Sequence, residues 1–99
     1  MNASRDFLKE CIIDATSNDY ENISTFGPEI EAWSHEEGKD FSFEALIEVL
    51  EDLTISHEVS VFRYVNDQNK YVKTVFDKAS LSELWFLAAR PANPPSVEQ

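Results

Sequence analysis

Basic side chains and glycine are scarce in this chain of 99 residues, and each scarcity limits what the protein can do. Eight Lys and Arg residues stand against 19 Asp and Glu residues, which gives a net charge of −11. Because phosphate is repelled by such a chain, we do not expect nucleic acid as its partner. The two glycines, Gly27 and Gly38, do not form a glycine-rich loop that could hold a phosphate group.

Cysteine and long apolar runs are also nearly absent. Cys11 is the single cysteine, which excludes an intrachain disulfide and favours a reducing compartment. No run approaches the roughly 20 apolar residues of a membrane span, and charges interrupt the first ten residues. We therefore expect a soluble cytoplasmic protein with no membrane contact.

The chain lacks motifs for metal binding or catalysis. Cys11, His35 and His57 are far apart in sequence, and His35-Glu36-Glu37 has no second histidine at the spacing of a zinc-protease helix. The acidic residues around it do not follow the alternating pattern of a calcium loop. We therefore expect no metal, no cofactor and no enzymatic activity.

What the chain has in quantity is apolar and aromatic residues. Hydrophobic residues make up 42% of the sequence and twelve residues are aromatic, which is enough for one core in one domain. We assign this domain to residues 1–90. The segment 91–99 is rich in proline and is predicted to be a loose tail.

The first half of the domain is predicted to be helical. Apolar residues recur at helical spacing over 4–16, with Ser4 as the N-cap, and over 42–54, with Asp40 or Ser42 as the cap. The third helix is expected to bury Phe43, Leu46, Ile47, Leu50 and Leu53. Between the first and third helices, residues 19–36 are predicted to form a helix that is capped by Asp19 and interrupted at Gly27-Pro28.

The second half of the domain changes to the period of two that is typical of strands. Residues 58–65 and 71–76 are rich in Val, Phe and Tyr and predict a hairpin closed by a turn at 66–69. Ser80 and Glu83 have the spacing of a capping box for a short helical turn. Residues 85–89 either extend this turn or form a third strand, and we favour the strand. The fold class is therefore α+β and winged-helix-like, with a three-helix unit followed by a small antiparallel sheet.

Three short stretches resemble a group of small uncharacterised bacterial winged-helix-like proteins. They are Asn18-Asp19-Tyr20-Glu21-Asn22-Ile23, the segment from Leu46 to Leu53 running into 59–64, and Glu83-Leu84-Trp85-Phe86. The resemblance covers roughly residues 5–90 and departs at Ala89-Arg90-Pro91, where the group ends on a polar, threonine-containing segment. It implies the fold and no functional site.

The acidic residues are concentrated in one third of the chain. Residues 19–52 carry eleven acidic side chains and one basic residue, Lys39, so this segment alone has a net charge of −10. Such a segment sets up a directional field that attracts a cationic partner. We interpret the protein as a non-catalytic interaction module for a basic protein, with candidate site residues Trp33, Glu44, Glu48, Glu51 and Asp52.

Several alternatives remain open from the sequence. One alternative interprets the acidic residues as a solvated face that keeps the protein soluble, and Trp33 as a core residue. An inhibitor or immunity-type protein that masks a cationic site would have the same composition. A winged-helix transcription regulator would contact DNA through the hairpin, which contains Arg63, Lys70 and Lys73. Trp85 and Phe86 face opposite sides of a strand, which also allows a homodimer.

Overall fold

The computed structural model describes residues 4–89, which form three helices and a four-stranded antiparallel sheet. In chain order the elements are α1 (Arg5–Ala15), β1 (Glu21–Asn22), α2 (Ile23–Glu36), α3 (Phe43–Ile55), β2 (Val59–Val65), β3 (Lys70–Thr74), a 3-10 helix (Lys78–Glu83) and β4 (Leu84–Ala88). The strand order is β1-β4-β2-β3. The predicted α+β class is therefore confirmed. The predicted tail, 91–99, lies outside the described residues.

The helices α1 and α3 begin at the serine caps that the sequence predicts. The Ser4 hydroxyl accepts a hydrogen bond from the Phe7 backbone N–H at 3.1 Å, and Ser42 accepts one from Ala45 at 3.2 Å. The predicted core position of Phe43 is wrong, since its side chain is 48% exposed. Its ring lies at the start of α3 over Gly27, where an added Cβ would be 3.5 Å from Cε1.

The predicted break at Gly27-Pro28 is also wrong, because α2 is continuous and contains Pro28 in its interior. Pro28 has no N–H to donate to the carbonyl of Ser24, so the helix lacks one hydrogen bond there. Burial of one helix face offsets this loss, since Ile23, Phe26, Ile30 and Ser34 are all buried. Tertiary packing thus overrides the local effect of proline.

The start of α2 differs from the prediction as well. Asp19 is not its cap; Asn22 is, and its side-chain oxygen accepts a hydrogen bond from the Ser24 N–H at 2.9 Å. The same side chain donates to the carbonyls of Ser82 at 2.9 Å and Leu84 at 3.0 Å. Residues Glu21–Asn22 form β1, a strand that the sequence did not predict, and pair with β4. Asn22 therefore ties α2 to the sheet.

The remaining strands confirm the sequence prediction. In the hairpin of β2 and β3, the register runs from Val61 paired with Thr74 to Val65 paired with Lys70. The turn contains Asn69, which has a positive φ of 52°. The third predicted strand is β4 and lies between β1 and β2. The predicted capping box at Ser80 is wrong. The 3-10 helix that precedes β4 is capped by Asp77, whose side chain accepts a hydrogen bond from the Ala79 N–H at 3.1 Å.

The core lies between the helices and the inner face of the sheet. Alternate strand residues are buried there: Val59, Val61, Leu84, Phe86 and Ala88. The Phe26 ring of α2 meets Phe86 edge to face, with 6.0 Å between the ring centres. Helices α2 and α3 end in the same way, with a left-handed residue after the last turn: Gly38 at φ 69° and His57 at φ 66°.

Candidate functional site

The α3 stripe consists of Glu44, Glu48 and Glu51. These residues are spaced i, i+4 and i+7 along α3, so they lie on one face, opposite the buried Leu46, Leu50 and Leu53. None of the three is in an ion pair within residues 4–89. Their charge is therefore directed to solvent and available to a partner.

The α3 stripe leads into a groove between the end of α3 and the end of the hairpin. This α3 groove has a volume of 600 Å³ and is lined by Glu51, Thr54, Ile55, His57, Val59, Ser60, Val61, Lys73, Thr74, Val75 and Phe76. Ile55 is 68% exposed and Val75 is 77% exposed, which makes them the most exposed large apolar side chains of the described residues. A row of carboxylates thus adjoins an apolar contact surface.

Asp52 follows Glu48 by four residues but, unlike the α3 stripe, has a cationic partner. Its carboxylate forms an ion pair with Arg5 of α1, and the neighbouring pair of Lys9 and Glu58 has an N–O distance of 3.1 Å. The hydrogen bond from Lys9 is the largest cause of a lowered pKa of Glu58, and the Ser56 hydroxyl adds to it. These pairs connect α1 to the end of α3, and Asp52 has a cationic neighbour inside the chain.

Trp33 lies elsewhere. It is half-buried on α2, packs against the core, and lines a groove of 910 Å³ beside α1. No member of the α3 stripe lines this groove. The structure therefore does not bring Trp33 together with the glutamates that the sequence analysis grouped with it.

The Trp33 groove does bring together two residues that are far apart in sequence, Cys11 and His57. Burial first, and the charges of Asp14 and Glu10 next, raise the pKa of the Cys11 thiol from 9.0 to about 11. A nucleophilic cysteine needs the opposite shift, toward the thiolate. At neutral pH this groove therefore presents a protonated thiol.

The described residues contain no cluster of three or more His, Cys, Asp or Glu side chains that could hold a metal ion. They also contain no helix of the length and apolar character needed to cross a bilayer.

Sequence reasoning identified the α3 stripe and missed the two apolar residues beside it. Ile55 is four residues after Glu51 and so continues the exposed stripe, which is a signal that the helical spacing contains. Val75 follows the last residue of β3, and nothing local indicates that it faces α3. It reaches the α3 groove only because the hairpin folds back beside the helix.

Comparison of the chain with protein-family models, with curated proteins and with solved structures yields no match.

Proposed function

We propose that the protein is a non-catalytic interaction module that binds a basic polypeptide through the α3 stripe and the α3 groove. The observation that carries the proposal is the continuity of the two surfaces. Glu51 belongs to both, and Ile55 follows it on the same helix face. A partner with Lys or Arg beside an apolar side chain would place its cation against the α3 stripe and its apolar side chain in the α3 groove.

The charges around the α3 groove also define an orientation. Lys73 lines the groove together with Glu51, so the groove has opposite charges among its lining residues. A basic partner would be repelled by Lys73 and attracted by Glu44 and Glu48. We therefore expect its cationic residues to lie along α3 and its apolar residue to contact Ile55 and Val75.

We infer a protein partner rather than DNA from the acidity of α3. Three helices followed by a hairpin are the order expected of that fold, and the third helix is the element that such a fold would turn toward a duplex. In this chain that helix contains Glu44, Glu48, Glu51 and Asp52 and has no Lys or Arg. Since duplex binding depends on neutralising phosphates, α3 would be repelled.

The proposal is tested with a blocked helical peptide that has Lys on one face and Leu on the other. The variant Glu44→Gln, Glu48→Gln and Glu51→Gln should weaken binding about fivefold to tenfold, because each exposed charge contributes on the order of 0.2–1 kcal/mol. It should also slow association and flatten its dependence on salt between low and physiological ionic strength. The measurements are calorimetry and stopped-flow fluorescence.

A matched control separates a local effect from one of total charge. Glu10→Gln, Glu31→Gln and Glu36→Gln change the net charge by the same amount at three exposed positions outside the α3 groove. This variant should bind nearly as well as the parent. A second variant, Ile55→Ser, should speed dissociation and leave the salt dependence unchanged. Equal losses in the two glutamine variants would overturn the proposal, because only the overall charge would then matter.

A further inference from the structure

The outer face of the sheet carries a second group of side chains that the proposed function does not use. We call it the aromatic face, and its members are Tyr20, Phe62, Tyr64, Tyr71 and Trp85. Tyr71 is central to it. Its ring stacks on Tyr20 at 3.9 Å between centres and meets Tyr64 at 5.1 Å and Trp85 at 5.6 Å edge to face. Tyr20 meets Phe62 at 4.9 Å.

This face points away from the core. Phe62 pairs with Trp85 across two strands, and Tyr64 pairs with Tyr71. All four side chains lie on the outer face of the sheet, whereas Val61 and Phe86 are buried on the inner face. Phe62 and Trp85 are neither core residues nor packed against the core. Tyr64 is 38% exposed and the other four rings are partly exposed. The sheet therefore presents to solvent a surface of mutually braced rings.

One carboxylate is fixed beside the aromatic face, since Asp19 accepts a hydrogen bond from the Tyr20 backbone N–H at 2.7 Å. Burial raises the pKa of the Tyr71 hydroxyl, and the nearby charge of Asp19 is the next cause, with Glu21 contributing less. Burial raises the pKa of Glu21 as well, and repulsion from Glu29 and Asp19 adds to it. None of these three carboxylates is in an ion pair within residues 4–89. The negative charge beside the rings is thus not neutralised by the described part of the chain.

We propose that the aromatic face binds an arginine side chain of a partner polypeptide. A guanidinium group is planar, stacks on aromatic rings, and donates up to five hydrogen bonds, so the Tyr71 and Trp85 rings and the Asp19 carboxylate match its chemistry. Lys73 lies opposite Phe62 in the hairpin and limits the cation to the part of the face near Asp19. This proposal does not depend on the α3 stripe, because it rests on different residues.

Aromatic rings on a sheet also stack on the bases of single-stranded nucleic acid. That binding requires basic side chains along the phosphates. Here Asp19 is hydrogen-bonded to the Tyr20 backbone, and the whole chain has a net charge of −11. Charge complementarity therefore favours a cation.

The test uses two blocked peptides of the same length, one with two arginines between glycines and one with citrulline in place of each arginine. Citrulline keeps the shape and planarity of the side chain and removes its charge. In nuclear magnetic resonance titrations, the arginine peptide should shift the Trp85 indole and the Tyr20 and Tyr71 backbone signals, with at least about tenfold weaker binding for citrulline. The double variant Asp19→Asn and Glu21→Gln should weaken arginine binding severalfold. In the absence of peptide its Trp85, Tyr20 and Tyr71 signals should stay where they are in the parent, which shows that the variant is folded.

The Glu44→Gln, Glu48→Gln and Glu51→Gln variant is the control, and it should bind the arginine peptide at the aromatic face as well as the parent does. Signal changes confined to α3 would overturn the inference and leave the α3 proposal intact. Equal affinity for citrulline would overturn it too. So would preferential binding of a ten-residue thymidine oligonucleotide at the same signals, or a dimer in light scattering whose interface covers Trp85.

Discussion

Gly38 and His57 occupy the same backbone position at the ends of two different helices. Each follows the capping residue in the left-handed region, at φ 69° and φ 66°. The same type of hydrogen bond closes each turn: the Lys39 N–H donates to the Ser34 carbonyl at 2.8 Å after α2, and the Glu58 N–H donates to the Leu53 carbonyl at 2.9 Å after α3. One helix end therefore has the residue that tolerates this conformation, and the other has a histidine.

Replacing His57 with glycine should stabilise the protein. A side chain with a Cβ is strained in the left-handed region by about 1–2 kcal/mol, and part of this gain is cancelled by the greater freedom of glycine in the unfolded chain. We expect a net gain of about 0.5–1 kcal/mol in the free energy of unfolding, measured by urea denaturation. Gly38→Ala is the converse experiment and should cost about 1 kcal/mol. A loss of stability in His57→Gly would show that the histidine makes a compensating contact.

The centre of the α3 packing face is Leu50, whose side chain is fully buried. Leu50→Ala should lower the free energy of unfolding by about 2–5 kcal/mol, because it removes buried methyl groups and leaves a cavity. Ile55→Ala on the exposed face of the same helix should change it by less than about 0.5 kcal/mol. Thermal denaturation of the pair provides the comparison. A cost at Leu50 as small as that at Ile55 would mean that the assigned buried face is incorrect.

The elements that sequence predicted correctly are those whose signals are local. The α3 helix has a strong apolar periodicity and a serine cap, and the hairpin has alternating Val and Phe residues around a polar turn. The elements that it missed depend on distant partners. β1 is two residues long and exists because it pairs with Trp85 and Phe86, more than 60 residues later. Pro28 sits inside a helix because Phe26 and Ile30 bury their side chains on either side of it.

The same division applies to the candidate site. The α3 stripe follows from helical spacing alone, so its three glutamates were identified together. The pairing of Asp52 with Arg5 and the separation of Trp33 from that stripe could not be read from the sequence, because both depend on how α1 packs against the other two helices. The aromatic face was missed for a similar reason, since Tyr20 joins the strand residues only through the fold.

Asn22 should be among the most sensitive polar residues of the domain. Asn22→Ala removes the cap of α2, worth about 1 kcal/mol, and leaves the carbonyls of Ser82 and Leu84 without their donor at a cost of about 1–3 kcal/mol. We expect a total loss of about 2–4 kcal/mol in urea denaturation. Ser42→Ala is the matched control, because it removes a cap that has no tertiary hydrogen bond. Equal losses at the two positions would show that the bonds of Asn22 to Ser82 and Leu84 contribute little.

The buried thiol of Cys11 should make stability depend on pH in the alkaline range. Its pKa is raised from 9.0 to about 11 in the folded protein by burial first and by Asp14 and Glu10 next. The folded state therefore holds its proton where the unfolded chain releases it. The stabilising contribution is complete below about pH 9 and is lost as the pH rises toward 11.

Cys11→Ala should abolish this part of the decrease in the free energy of unfolding at alkaline pH. At neutral pH the substitution lowers stability, because it removes packing. The measurement is the difference between the parent and the variant in urea denaturation at a series of pH values from 7 to 10.5. A second readout is alkylation by iodoacetamide at pH 8.5. It should be roughly a hundredfold slower in the folded protein than in urea, since the thiolate fraction falls with the raised pKa. Alkylation at the same rate in both states would mean that the thiol is open to solvent, and the pH dependence should then disappear as well.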